Sequence, residues 1–339
     1  MEKIQSMQYP RLKQVVSSFS RVRVLVIGDL ILDEFIWGQV TRISPEAPIP
    51  VVWVKSTSFV PGGACNVANN LRSLGAQAEV IGVIGSEGRG RMLLELLEQK
   101  GIGVSGIVKD ASRPTTLKTR VVAHHQQVVR IDREEVAPLS KDIQRKFIAD
   151  VRRRLKNFDA VCVEDYGKGV VTPELVKEIV RLARRQGKII TVDPKESHLS
   201  YYRGVSCITP NHHEASTLAK IPIRDDASLR RAGQKLLRTL ACENVLITLG
   251  ENGMCLFQKG LKPVKIPTLA QDVFDVSGAG DTVTGTYTLA LGSKAAPIEA
   301  AHLANCAAGI VVGKVGTATV TQNELLTRVR QLLSVASEI

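Results

Sequence analysis

The stretch Asp275-Val276-Ser277-Gly278-Ala279-Gly280-Asp281-Thr282 decides how the rest of the chain is read. It runs into a helix-compatible segment, residues 283–291, and so predicts a loop that becomes a helix N-terminus. Gly278 and Gly280 let backbone N–H groups approach an anion closely, and the unpaired N–H groups and positive dipole end of a first helical turn add to the attraction. That is a phosphate cradle. Asp281 would repel a phosphate unless it is there to take a proton, and a helix N-terminus favours its ionised form, so it is the candidate base. Taken in isolation, Gly-Ala-Gly-Asp reads better as a helix-opening turn with Asp at a capping position; the surrounding chain decides otherwise.

Composition narrows the setting. At 339 residues the chain can bury a large core, as one big α/β domain or two ordinary ones. Hydrophobic residues make up 44% and aromatics 4%, which suits a core of Val, Ile, Leu and Ala and argues against a base-stacking surface. No stretch reaches the ~18 continuous apolar residues that cross a bilayer, and charges scattered through residues 1–21 leave no apolar signal core. A soluble, cytoplasmic protein with no membrane partner is expected. Cysteines 65, 162, 207, 242, 255 and 306 form no C-x-x-C pair and are expected reduced and mostly buried. The net charge of +12 is spread in small groups such as Arg184-Arg185, as on solvated helix faces with a general pull on anionic substrates. With no nucleic-acid reading element, a nucleic-acid partner is not expected.

Upstream, residues 22–27 read as a buried parallel strand ending in Gly28-Asp29, where α/β sheets bind ligands, which makes Asp29 and Asp33 candidates for holding hydroxyls. The alternative is turn chemistry for Asp29 and a surface position for Asp33. Residues 42–50 hold three prolines and suit an edge strand or a flap. Gly62-Gly63-Ala64-Cys65-Asn66 then leads into a helix, with Asn66 either aimed at a ligand or capping. Residues 115–122 and 127–131 alternate as a hairpin. From residue 140 onward βα units repeat, and their strand ends carry Glu164-Asp165-Tyr166-Gly167-Lys168, Asp193-Pro194-Lys195 and Asn211-His212-His213-Glu214. Gly101 to Gly106 spell G-x-G-x-x-G but follow a helix and open a strand, the reverse of a dinucleotide site. His124-His125 and His212-His213 are adjacent in sequence and therefore diverge, a poor geometry for a chelate.

Gly62-Gly63-x-x-Asn66, Asn211-x-x-Glu214 and Gly278-Ala279-Gly280-Asp281 occur in that order, and over about residues 21–320 the chain resembles the ribokinase, or PfkB, family of sugar kinases. The resemblance implies a ribokinase-like α/β fold: a central, mostly parallel sheet flanked by helices, with a small β-sheet lid. It implies one kinase domain over residues 21–339 after an extension over 1–20, with lid segments near 34–58 and 112–132. It makes Asp281 the catalytic base and the amides of Gly278, Ala279 and Gly280 an anion hole. Asn211 and Glu214 would organise Mg²⁺, through water, and the phosphates of ATP; Thr248, Gly250, Gly253 and Asn305 would meet the nucleotide. Asp29, Asp33, Gly62, Gly63 and Asn66 would hold the sugar. A homodimer through the lid is a further implication.

A second set, Gly28-Asp29-x-x-x-Asp33, residues 42–51, Gln126-Gln127-x-x-Arg130-x-Asp132 and Asp165-Tyr166-x-Lys168-Gly169, resembles the heptose 7-phosphate kinases of that family, which act on the way to ADP-heptose and lipopolysaccharide core. His125 stands where relatives more often carry an amide. Many relatives carry a cytidylyltransferase-like domain behind the kinase; the sequence ends at Ile339, so a stand-alone kinase is expected. A substrate phosphate needs cations, and Arg42, Arg120, Arg130, Lys168 and Lys195 are the candidates, Lys168 and Lys195 foremost. Other readings are a different PfkB sugar or nucleoside kinase, and a non-catalytic nucleotide-binding regulator.

Overall fold

The computed structural model describes residues 8–124, 126–268 and 273–337. His125, in the expected hairpin connection, lies outside them. Strands are β1 (Arg23–Gly28), β2 (Leu30–Ile43), β3 (Pro50–Gly63), β4 (Gln77–Ile84), β5 (Gly103–Lys109), β6 (Thr116–Ala123), β7 (Gln126–Arg133), β8 (Ala160–Glu164), β9 (Ile189–Asp193), β10 (Cys207–Ile208), β11 (Asn244–Thr248), β12 (Met254–Gln258) and β13 (Val264–Ile266). Helices are α1 (Tyr9–Ser17), α2 (Ala64–Ser73), α3 (Gly88–Gln99), α4 (Lys141–Arg154), α5 (Pro173–Arg185), α6 (His212–Ala219), α7 (Asp226–Leu240), α8 (Ala279–Gly292), α9 (Pro297–Val311) and α10 (Gln322–Ser337).

One sheet has the order β13-β12-β11-β10-β9-β8-β1-β4-β5, and its pairings are parallel from β11 through β5. Only β12 and β13 join antiparallel. The apolar run of β1 is buried on both faces, as a central parallel strand must be. Successive side chains point to opposite faces: Val24 and Val26 enter the core shared with α1, α2, α8 and α9, while Leu25 and Ile27 enter the one shared with α4, α5 and α7. Helix starts follow local chemistry. Thr172 caps α5 by accepting the Leu175 N–H at 3.3 Å, with Pro173 as the first helical residue.

The second sheet, β3-β2-β6-β7, is the lid. Its β2 and β3 form a long antiparallel ribbon from Leu30↔Gly63 to Ile43↔Pro50. Strand β6 runs parallel to β2 and sets Lys118 beside Asp33. Asp29 alone separates β1 from β2, and Gly63 passes directly into α2. All six cysteines are free and buried. Among the described residues no helix is long and apolar enough to cross a membrane.

Helix α8 departs from the usual amphipathic pattern. Every residue from Asp281 to Gly292 is buried, so the helix is a core element between α2, α9 and the strands β8 and β9. Three of its four threonines are hydrogen-bonded: the Thr288 hydroxyl donates to Thr284 O at 2.6 Å, the Thr282 hydroxyl to Asn70 Oδ1 at 3.0 Å, and the Thr284 hydroxyl pairs with that of Thr209 at 2.8 Å, while the Thr286 hydroxyl is buried without a partner. The helix is therefore fixed in position by packing from Asp281 onward, while Ala279 and Gly280 at its start stay accessible.

Candidate active site

Gly278 holds a left-handed conformation, φ +77°, and ends the loop ahead of α8. A side chain there would run against Asn66 Nδ2 at 2.7 Å, so the glycine is required for close approach as well as for the turn. Asp281, in the first turn, is only 5% exposed. Its Oδ2 accepts from Asn66 Nδ2 at 2.7 Å and its Oδ1 from the Tyr166 hydroxyl at 2.7 Å. Asn66 is thus not a cap, because Gly63 holds the N-cap position of α2 without a side-chain bond.

The charge on Asp281 is set differently from the sequence argument. Burial dominates and pushes its carboxyl up to about 6, against the lowering by the Asn66 and Tyr166 hydrogen bonds; the Asp33 charge raises it further and Lys118 offsets part of that. The helix end does not overcome desolvation here. Glu164 and Asp193, at the ends of β8 and β9, place carboxylate oxygens within 4.8 Å of each other and of Asp281. Burial first holds both well above the usual carboxylate range; the charges of Asp193 and Asp281 add to it for Glu164, and those of Glu214 and Asp281 for Asp193. Glu164 Oε2 is buried with no hydrogen-bond partner. An orphaned acidic oxygen beside two further carboxylates fits a hard divalent cation such as Mg²⁺, which takes one or two carboxylates and keeps its waters.

The expected metal motif is largely engaged. Asn211 caps α6, accepting from the His213 and Glu214 N–H groups at 2.9 and 3.0 Å, and Glu214 returns the bond by accepting the Asn211 N–H at 2.8 Å. Glu214 still acts on the acidic group through its charge, which raises Asp193. A bridge between Asn211 and Thr248 sets this helix start beside β11. On that side a cavity of about 450 Å³ is lined by Thr248, Gly250, Gly253 and Asn305 together with Ala279 and Gly280. Its floor also includes apolar Val276, Val283 and Val312. Gly253, at φ +80°, packs where a side chain would strike Ile266 O, and Asn305 is held by donating to Pro267 O at 2.7 Å. A second cavity, of about 510 Å³ beside Arg238 and Lys259, has no carboxylate in its lining and lies off the strand ends.

On the other side of Asp281 stand the lid and the sugar candidates. Gly62 lies against Asp33, and a side chain at Gly62 would run into Asp33 Oδ2. Asp33 is ion-paired with Arg120 at 2.6 Å. Lys168 is paired with Glu134 at 2.6 Å and Lys195 with Glu196 at 3.0 Å. Arg42 is exposed near the far end of the ribbon. At ~3.3 Å per strand residue it is roughly 30 Å beyond Asp33 within the same chain, so the cleft of its own subunit is out of its reach. Asp29 is turned away from the cleft: its two oxygens accept the backbone N–H groups of Tyr166, Lys168 and Val170 at 2.8, 3.1 and 3.3 Å.

Four residues outside the sequence-derived set belong to this group: Glu164, Asp193, Tyr166 and Lys118. The first three stood among the polar strand ends, which was the available signal. Lys118 gave none beyond being a cation on a lid strand. Its Nζ lies 5.1 Å from the Tyr166 ring centroid, and among the described residues it has no ion-pair partner. Burial holds its pKa below the usual lysine range, with Lys168 and Arg130 acting the same way and Asp33 and Asp132 opposing.

A parallel sheet with a nucleotide-sized cavity at its strand ends, an anion cradle, a buried carboxylate and a lid defines a phosphotransferase of the ribokinase-like fold. Solved structures share that fold: Escherichia coli phosphofructokinase-2 in complex with substrates and products, TM-score 0.77 at 22% identity, covering 92% of this chain and 99% of that one. Arabidopsis thaliana ribokinase complexed with ribose and ATP gives 0.72 at 20% identity, over 92% and 98%. Residues 23–324 match the pfkB family carbohydrate kinases, and the chain belongs to that family. It is 48% identical over 310 residues to the bifunctional protein HldE of Desulfatibacillum aliphaticivorans, covering 91% of this chain and 63% of that protein. Against HldE of Geobacter sulfurreducens it is 46% identical over 317 residues, 93% of this chain and 65% of that protein. The chain therefore spans somewhat less than two thirds of the length of these relatives.

Proposed function

We propose that the chain transfers the γ-phosphoryl group of ATP to the anomeric 1-hydroxyl of D-glycero-β-D-manno-heptose 7-phosphate, giving the 1,7-bisphosphate. The observation that carries the reading is the position of Asp281: buried, doubly hydrogen-bonded, with the anion cradle and the cavity on one side and the lid on the other. The heptose substrate is supported by the residue sets at Asp29 to Asp33, 42–51, 126–132 and 165–169, and by the HldE relatives.

Phosphoryl transfer needs little covalent participation from the protein, which positions the partners and stabilises charge. Asp281 takes the proton of the anomeric hydroxyl as its oxygen bonds to the γ-phosphorus and the bond from that phosphorus to the β,γ-bridging oxygen breaks, releasing ADP. The N–H groups of Gly278 and Gly280 face the charge that develops on the transferred group, whereas the Ala279 N–H, expected to join them, already donates to Val276 O at 3.2 Å. Glu164 and Asp193, with Glu214 through water, would hold Mg²⁺, which neutralises phosphate charge when bound. Thr248, Gly250, Gly253 and Asn305 bound the nucleotide. Asp33, Gly62, Gly63 and Asn66 bound the sugar, and Lys118 with Lys168 faces its distal phosphate.

We read residues 21–339 as a single kinase domain working in the cytoplasm as a homodimer. The lid leaves Trp53 63% and Ile131 56% exposed, a surface that a second copy would cover. Arg42, out of reach of its own cleft, would then lie in the lid region between subunits. Light scattering reads the mass directly.

A coupled ADP-release assay over sugars and sugar phosphates, each heptose 7-phosphate anomer included, tests the substrate. Turnover of ribose, fructose phosphates or a nucleoside with none on the heptose phosphates overturns it.

A further inference from the structure

The loop Tyr166 to Val170 has no regular structure, yet its backbone is pinned at alternate positions. Asp29 takes the N–H groups of Tyr166, Lys168 and Val170. Asp165 takes the Gly167 N–H at 2.9 Å on Oδ1, while its Oδ2 accepts from the Tyr202 hydroxyl at 2.6 Å and meets His198 Nδ1 at 2.8 Å. Gly167 and Gly169 hold φ of +69° and +85°, and a side chain on Gly169 would strike Ala137 O. Hydrogen bonds to an ionised acceptor are roughly twice as strong as neutral ones, and here four main-chain donors share two carboxylates.

What this clamped loop presents to Asp281 is one hydroxyl, that of Tyr166, 2.7 Å from its Oδ1. Burial and the neighbouring carboxylates hold the phenol well above its usual range, so it stays a donor at any working pH. Asn66 donates to the other oxygen. A donor on each oxygen fixes the carboxylate's rotation and leaves a free lone pair on each oxygen, either of which can receive a proton.

We propose that Tyr166 is a positioning residue for the phosphoryl-transfer base, and that Asp29 serves by clamping the Tyr166 loop rather than by binding the sugar. The inference rests on Asp281 being the base. Tyr166 neither gives nor takes a proton; the proton leaving the sugar hydroxyl goes to Asp281. A misplaced base loses rate without losing binding, and an error of ~1 Å costs on the order of 10²-fold.

The test is Tyr166→Phe in the full chain, which keeps the ring beneath Lys118, assayed with ATP and heptose 7-phosphate, or with whichever sugar the unaltered chain turns over. The expected result is a kcat lower by ~10- to 100-fold, with KM for ATP and for the sugar within about twofold of normal and an unchanged melting temperature. Normal kcat, or a loss confined to the sugar KM, overturns the positioning role. Asp29→Asn should likewise lower kcat; a raised sugar KM with kcat intact would make Asp29 a sugar contact and refute the clamp. Asp281→Asn run alongside separates the two levels. If it keeps normal turnover, the base assignment fails; if it is inactive while Tyr166→Phe is normal, only the positioning role fails.

Discussion

Replacing Asp281 by Asn should make the protein more stable and nearly inactive. Burial and neighbouring charges move its carboxyl from 3.8 to about 6. At 1.36 kcal/mol per unit, the ionised group therefore costs the folded state about 3 kcal/mol at neutral pH. The sign follows from the raised value. The cost is absent below the unfolded value of 3.8, grows as pH rises, and is complete above about 6. Asparagine removes it but leaves the Asn66 or the Tyr166 donor facing an amide nitrogen, a loss of about 1–2 kcal/mol. The balance is a gain on the order of 1 kcal/mol at pH 7.5, a melting-temperature rise of about 2 °C, which disappears at pH 4.5. In the same variant kcat should fall by ~10² to 10⁴, as for positioned acid–base groups, with ATP affinity little changed. Thermal unfolding at the two pH values and steady-state kinetics read both quantities. A variant destabilised at pH 7.5 would refute the electrostatic account, and one with near-normal turnover would refute the base.

For the unaltered enzyme, kcat/KM should fall about tenfold per pH unit below about pH 6, because Asp281 accepts a proton only when ionised; a flat profile down to pH 5 would contradict this. Asp193→Asn should raise the Mg²⁺ concentration for half-maximal rate by ~10- to 100-fold, read by Mg²⁺ titration at saturating ATP; an unshifted titration would remove Asp193 from the metal site. Lys118→Ala should raise KM for the sugar phosphate by about tenfold or more, the scale of a lost charged hydrogen bond, while leaving any residual activity on the unphosphorylated sugar unchanged. Equal losses on both sugars would show that Lys118 does not read the phosphate.

The fold was legible in the sequence because its signals are local. The apolar run before Gly28-Asp29 needs both faces buried, Thr172-Pro173 starts a helix by its own chemistry, and Gly278 to Asp281 marks the start of α8. The nucleotide candidates Thr248, Gly250, Gly253 and Asn305 come together because each follows a strand or lies on the helix beside α8. What escaped depends on contacts between distant segments. Glu164 and Asp193 read alike with every other polar strand end until β8 and β9 lie side by side under Asp281. Asp29 reads as a ligand contact until the loop 166–170 is folded over it. Lys168 and Lys195 read as free cations because their acids, Glu134 and Glu196, look like ordinary surface charges. Arg42 seemed near the cleft because nothing local fixes how far the β2–β3 ribbon reaches.

The single residue between β1 and β2 joins the large sheet to the lid, and that residue is Asp29. Its main-chain oxygen also accepts the Ala64 N–H at 3.1 Å, where the ribbon re-enters the body at α2. The hinge of the lid and the anchor of the Tyr166 loop are therefore one residue. A rotation of the lid about Asp29 would act on the residue whose carboxylate holds the loop and, through the loop, the hydroxyl on Asp281. Enclosing a sugar and holding the base would then be coupled through one residue.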